Sequence, residues 1–209
     1  MTRKILEKNG QAVIKKVDQQ GWTPLHCAAY FRSVSTANLL LNFDRDIAYM
    51  KDAEGRTALH LAAHRGSVGA MQGILSSCPD CCELVDKRGW NVLHFAVNSP
   101  WVAPATVKVI LNNPSLSNLL NEKDIKGNTP MHQHSKSNSK YVEELMIDPR
   151  VDKMAFNRQH LNAYDMALIS DKYLEDEKVM QSFVFRKIIY IYIILILLDG
   201  SNFFSNVKL

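Results

Sequence analysis

The chain has 209 residues, 46% hydrophobic and 22% charged, too apolar for disorder and long enough for one domain or a short repeat array. With 25 Lys and Arg against 21 Asp and Glu the net charge is only +4, and Arg186, Lys187 and Lys208 near the C-terminus supply three of the positive charges, so no nucleic-acid footprint stands out. Four cysteines, no Asn-x-Ser/Thr sequon with an allowed middle residue, and a charged N-terminus without an apolar signal region predict a reducing, intracellular setting.

In chain order, Ile5, Leu6 and Val13 come first, spaced like the second helix of a repeat whose first helix is absent. Residues 1–20 are therefore expected to be a partial N-terminal repeat, as if cut from a longer array. From residue 18 a motif recurs. Asp18-x-x-Gly21-Trp22-Thr23-Pro24-Leu25-His26 returns as Asp52-x-x-Gly55-Arg56-Thr57-Ala58-Leu59-His60 and as Asp86-x-x-Gly89-Trp90-Asn91-Val92-Leu93-His94. A fourth copy is Asp124-x-x-Gly127-Asn128-Thr129-Pro130-Met131-His132, and the glycines lie 34, 34 and 38 residues apart.

Asp-x-x-Gly is turn chemistry: the carboxylate can bond backbone two residues on, and Gly takes a positive φ without steric cost. Thr23, Thr57, Asn91 and Thr129 are helix N-cap residues, with Pro24, Ala58, Val92 and Pro130 at the first helical position. Small residues follow in the first helix (Ala28-Ala29, Ala62-Ala63), and Gly66 ends it in the second unit. A second helix is read from Val68, Met71, Ile74 and Leu75, and again from Val107, Ile110 and Leu111. The fourth copy is degenerate, with Gln133-His134-Ser135 where the first has Cys27-Ala28-Ala29. A fifth, fainter copy runs from His160 to Ala167.

The stretches Gly21-x-Thr23-Pro24-Leu25-His26-x-Ala28-Ala29 and Gly55-x-Thr57-Ala58-Leu59-His60-x-Ala62-Ala63-x-x-Gly66 resemble the ankyrin repeat. The resemblance implies an all-α repeat solenoid of helix-turn-helix units with β-hairpin loops, here divided 21–54, 55–88, 89–126, 127–159 and a partial unit 160–182. Residues 78–97, 118–124 and 152–157 further resemble plant ankyrin proteins of the accelerated-cell-death type. Those proteins, as the resemblance implies, join a cytosolic ankyrin array to a multi-span membrane domain marked by Pro-Gly-Gly and act in defence and stress signalling at the plasma membrane. No Pro-Gly-Gly occurs in this chain.

The C-terminal residues 183–209 are expected to form an apolar helix or tail. Ile188 to Leu198 is an uninterrupted apolar run of 11 residues, below the roughly 17 to 25 of a spanning helix, with Arg186 and Lys187 placed to snorkel. Three readings stay open for 183–198: a membrane contact or span, a capping helix over the last repeat, or a stretch with no selected role.

No cofactor or metal is expected. Cys78-x-x-Cys81-Cys82 resembles half of a zinc site without a second ligand pair, and a loop between repeats accounts for it. His26, His60, His94 and His132 recur with the unit, which marks them as hydrogen-bonding members of the helix start rather than catalysts. No nucleotide-binding or hydrolase motif is present, and about 40 residues beyond the repeats are too few for a catalytic domain.

What varies at otherwise matching positions is the residue after the turn glycine. In a stacked array these positions line one concave face, and Trp and Arg are enriched at binding hot spots. Trp22, Arg56 and Trp90 are therefore the candidate partner site, joined by Tyr30, Phe31, His64 and Arg65 on the same side. The competing reading is that the indoles pack across neighbouring hairpins. The expected function is a non-catalytic protein-binding scaffold. The alternative is a truncated membrane-associated signalling protein whose array competes with a full-length relative, by stacking on a related ankyrin protein.

Overall fold

Five tight turns, here called fingers, organise the structure, a computed structural model that describes residues 13–100, 103–136 and 143–169. In each finger the N–H of the first residue donates to the carbonyl of the fifth: Asp18 to Trp22 at 3.1 Å, Asp52 to Arg56 at 2.9 Å, Asp86 to Trp90 at 3.0 Å, Asp124 to Asn128 at 2.9 Å and Asn157 to Leu161 at 3.0 Å. The side-chain oxygen of that first residue accepts from the N–H groups two and four residues on, for example Glu54 and Arg56 on Asp52 Oδ1 at 2.9 and 2.8 Å. The expected β-hairpin loops are thus turns without strands, and no strand occurs among the described residues. The cause is local: the Asp takes up the N–H groups that a strand partner would otherwise pair.

Successive fingers are laced by one backbone bond each. Ala53 N–H donates to the Gln20 carbonyl, Lys87 to Glu54 and Ile125 to Arg88, all at 3.0 Å, and Arg158 donates to Lys126 at 3.1 Å. This close approach explains the turn glycines. Gly21 has φ 78°, and a Cβ there would stand 2.8 Å from Ala53 N; Gly127 repeats the arrangement against Arg158 N. In the fifth finger His160 holds the glycine position, with φ 57°.

Each of the first four fingers leads into a pair of helices: α1 Pro24–Tyr30 and α2 Val34–Phe43, α3 Ala58–Arg65 and α4 Val68–Ser77, α5 Val92–Val97 and α6 Ala103–Leu111, α7 Pro130–Lys136 and α8 Glu143–Ile147; α9 Ala163–Ile169 follows the fifth. Thr23 Oγ1 accepts from His26 N–H, and Asn91 Oδ1 accepts from Leu93 and His94 N–H, satisfying donors that a helix start leaves open. In the fifth unit Asn162 Oδ1 accepts from Tyr164 and Asp165 N–H in the same way.

The first helices pack in sequence as an inner row (α1, α3, α5, α7) and the second helices as an outer row (α2, α4, α6, α8). Ala29, Ala62, Ala63 and Ala96 are fully buried in the inner row, which lets its short helices close on one another. Gly69 and Gly73 of α4 serve the outer row, because a Cβ on either would run into Val34 or Asn38 of α2. Leu25, Leu59, Leu93, Leu40, Met71, Ile74 and Ile110 fill the space between the rows, each at most 2% exposed. Short 3-10 segments, Arg45–Tyr49, Pro79–Glu83 and Pro114–Leu120, return the chain from outer helices to the next finger. Lys51 Nζ clamps the carbonyl of Val85, and Lys123 Nζ that of Phe156, both at 2.8 Å across one repeat.

Gly66 ends α3 in the left-handed conformation, with φ 71°, as its place in the sequence predicts. Arg32, which stands 34 residues earlier, adopts φ 61° without being glycine. Of the expected N-terminal partial helix, Val13 and Ile14 are described as helical, with Ile14 fully buried. The rest of it, and the whole apolar tail 183–209, lie outside the described residues. The five fingers belong to one compact unit, which ends at Met166. No helix among the described residues is long and apolar enough to cross a membrane.

Candidate interaction groove

The repeated histidines connect one unit to the next. His26 Nδ1 lies 3.2 Å from Thr23 N and 2.8 Å from Thr23 Oγ1. Because a backbone N–H only donates, Nδ1 accepts and the proton sits on Nε2, which donates to the Arg56 carbonyl at 3.0 Å. His132 does the same with Thr129 and the Leu161 carbonyl, and His94 Nε2 reaches the Asn128 carbonyl at 3.1 Å. His60 keeps the bond from Thr57 N–H at 3.0 Å, but its Nε2 completes no hydrogen bond of good geometry among the described residues, although the Trp90 and Leu84 carbonyls act on the ring. Burial pushes all four imidazoles down, His60 and His94 to about 4, so they are neutral at pH 7. The expected role at the helix start is present, and the cross-repeat bond adds to it.

The residues after the turn glycines also reach across. Trp22 Nε1 donates to Asp52 Oδ2 and Trp90 Nε1 to Asp124 Oδ2, each at 3.1 Å and each one finger onward. Arg56 instead folds onto its own finger, Nε and Nη2 both 2.8 Å from Asp52 Oδ2. Burial works to raise the Asp124 carboxyl, but bonds from the Asn128 backbone and side chain, from Lys126 N–H and from Trp90 outweigh it and hold the group below its ordinary value.

Between the fingers and the inner helices runs an open groove of about 750 Å³. Trp22, Arg56, Arg88 and Trp90 form its finger wall, and Tyr30, Leu61, His64 and Phe95 form its helical floor. The rings are in mutual contact. Trp22 and Tyr30 are 5.0 Å apart between centroids, Trp90 meets Phe95 edge-on at 5.5 Å, and His64 meets the same phenyl at 6.4 Å.

Of the residues singled out from the sequence, Trp22, Tyr30, Arg56, His64 and Trp90 thus line this one groove. Phe31 sits edge-on to Tyr30 at 5.2 Å and is 72% exposed, and Arg65 lies over the Tyr30 ring at 4.6 Å. Trp90, only 9% exposed and bonded to Asp124, follows the packing reading, while Trp22 is half-buried and serves as both tie and wall. Sequence reasoning missed Arg88 and Phe95. Both stand at variable positions, the finger tip (Gln20, Glu54, Arg88, Lys126) and the residue after the histidine (Cys27, Leu61, Phe95, Gln133), so the signal was available.

The cysteines take no part in the groove. Cys78 and the 3-10 turn with Cys81 and Cys82 form a loop between repeats; Cys78 Sγ contacts the Arg45 carbonyl at 3.3 Å. Burial raises the Cys81 thiol to about 12 and Cys82 to about 11, which leaves both protonated and unreactive. Among the described residues no group of His, Cys, Asp or Glu is arranged to hold a metal ion.

Two stacked rows of short helices, each pair preceded by a finger, define a helical repeat protein. The sequence model of the ankyrin repeat matches residues 20–52 and 54–85, the units built on Gly21 and Gly55, so the chain carries ankyrin repeats. The fingers at Asp86 and Asp124 keep the same turn, histidine bond and helix pair beyond the matched ranges. Ankyrin repeats are generally non-catalytic modules for binding other proteins. No curated protein matches the chain.

Proposed function

We propose that this protein is a non-catalytic scaffold that holds a protein partner in the groove between its fingers and inner helices. The observation that carries the reading is the convergence of Trp22, Tyr30, Arg56, His64, Arg88 and Trp90 on one open surface. Aromatic side chains supply large contact area with little rotamer freedom to lose, and arginines add several donors. The test is proximity labelling in plant cells by the full chain and by its Phe31→Glu/His64→Glu variant. Labelled proteins should disappear with the variant while its melting temperature stays unchanged; an identical set from both chains refutes the reading.

The setting we propose is defence or stress signalling on the cytoplasmic face of the plasma membrane, supported by the resemblance of residues 78–97, 118–124 and 152–157 to the plant accelerated-cell-death type. A second reading rests on the apolar run from Ile188 to Leu198 behind Arg186 and Lys187: a membrane-associated form that competes with a longer relative by stacking repeat on repeat. Alkaline carbonate extraction of the full chain and of a chain ending at Ser182 separates the two. Retention of the full chain alone in the membrane pellet supports the second, and release of both supports a scaffold without an anchor in this segment.

A further inference from the structure

The finger tips differ in charge along the array. The first two carry Gln19, Gln20, Ala53 and an exposed acid, Glu54; the third to fifth carry Lys87, Arg88, Lys126 and Arg158, all exposed. These basic tips are neighbours, because Ile125 N–H bonds the Arg88 carbonyl and Arg158 N–H the Lys126 carbonyl. Lys126 and Arg158 form no ion pair among the described residues, whose five pairs lie elsewhere.

Arg88 is the member of the row that also lines the groove. Its Nε donates to Asp86 Oδ2 at 2.9 Å, and its guanidinium carbon lies 3.9 Å from the centre of the Trp90 ring and 5.6 Å from that of Phe95. A guanidinium has five N–H donors. One is occupied, the plane is held by the indole and the carboxylate, and the two Nη groups remain on a side chain that is 53% exposed. An arginine fixed in this way has little orientation left to lose on meeting a carboxylate.

We propose that the groove takes an extended acidic segment of a partner protein. Its carboxylates lie along Arg88, Lys126 and Arg158, and its apolar side chains enter the floor between Trp22, Tyr30 and Phe95. The proposal rests on the scaffold reading and adds a chemical class and a direction: the acidic end over the third to fifth fingers, the apolar end over the first two. Peptides suit this surface better than a flat anionic membrane, since Arg88, the first cation of the row, lines a groove with an aromatic floor that a bilayer surface does not fill.

The test is titration of the full chain, followed by tryptophan fluorescence, with a synthetic peptide carrying Leu-Phe at one end and a glutamate run at the other. Its glutamine counterpart and phosphatidylserine vesicles are titrated in parallel. The glutamate peptide should bind, weaken as salt rises, and lose about tenfold in affinity in Lys126→Gln/Arg158→Gln and in Arg88→Gln. Lys126 and Arg158 are exposed and form no ion pair among the described residues, so the double variant remains informative if Arg88→Gln unfolds. Lys108→Gln on outer helix α6 serves as the charge control and should bind as the parent does.

Equal affinity for the glutamate and glutamine peptides, or parent affinity in the double variant, overturns the acidic-partner proposal and leaves the scaffold reading standing. Binding to vesicles without binding to the peptide overturns it in favour of a lipid surface. Failure of both peptides together with unchanged labelling by Phe31→Glu/His64→Glu removes the groove itself.

Discussion

Trp90 Nε1 donates to Asp124 Oδ2 across the boundary between the third and fourth fingers, and Trp22 makes the same bond to Asp52 two units earlier, both at 3.1 Å. An acid that organises its own turn thereby also receives the preceding one. Where Arg56 replaces the indole no such donor comes from the preceding finger, and Asp86 pairs instead with Arg88 of its own turn. Trp90→Phe should therefore cost about 1 kcal/mol, since it keeps the packed ring and removes one bond to a carboxylate that retains Asn128 and Gln133. Trp90→Ala should cost about 3 kcal/mol or more by emptying the contact with Phe95 and His94. Urea unfolding at neutral pH measures both. A loss below about 0.5 kcal/mol for Trp90→Ala returns the residue to the surface class.

Arg32 and Gly66 occupy the same place at the end of the first helix in successive units, with φ 61° and 71°. A left-handed conformation costs an ordinary residue roughly 1 kcal/mol relative to glycine. Arg32→Gly should stabilise the protein by up to about 1 kcal/mol, offset in part by the greater freedom of glycine in the unfolded chain, and Gly66→Ala should destabilise it by about 1 kcal/mol. Paired denaturation midpoints for the two variants check the opposite signs; a loss in both contradicts the strain argument.

The finger glycines carry a heavier constraint, because conformation and space act together. A Cβ on Gly55 would lie 2.9 Å from Lys87 N, the donor of the bond to the Glu54 carbonyl, on a backbone with φ 80°. Gly55→Ala should cost more than about 2 kcal/mol and expose the Lys87 amide to hydrogen exchange. A stability within about 0.5 kcal/mol of the parent, with the amide still protected, would falsify the account of finger stacking.

These contrasts show what the sequence made legible. The period of Asp-x-x-Gly and the N-cap residues located four fingers and the helix starts, because turn and capping chemistry are local and act through a few named side chains. The cross-repeat bonds of Trp22, His26 and Lys51 were hidden, since each joins residues 30 or 34 apart whose pairing depends on how one unit sits on the next. For the groove, position in the repeat found Trp22, Tyr30, Arg56, His64 and Trp90 but not Arg88. Its variable finger-tip position was a signal in the sequence, but its value comes from a ring beneath it and an acid beside it, contacts that only the folded turn displays.

The buried histidines set a distinct pH response. His60 and His94 titrate near 4 in the folded chain because burial disfavours the imidazolium, whereas in the unfolded chain they titrate near the ordinary histidine value of 6.5. Between these values the unfolded state binds more protons, so stability is complete above pH 6.5 and is lost as pH falls towards 4. Each group contributes on the order of 3 kcal/mol over that window at about 1.4 kcal/mol per pKa unit, with His26 and His132 shifted in the same direction. Asp124, whose carboxyl is held below its ordinary value of 3.8, loses its contribution only at lower pH, which keeps the range from 6.5 to 4.5 diagnostic for histidine. Urea midpoints should fall steeply between pH 7 and 5. In His60→Gln, which removes one of the two groups that titrate near 4, the slope should be shallower. A midpoint that stays constant over this range would show that the histidines titrate alike in both states.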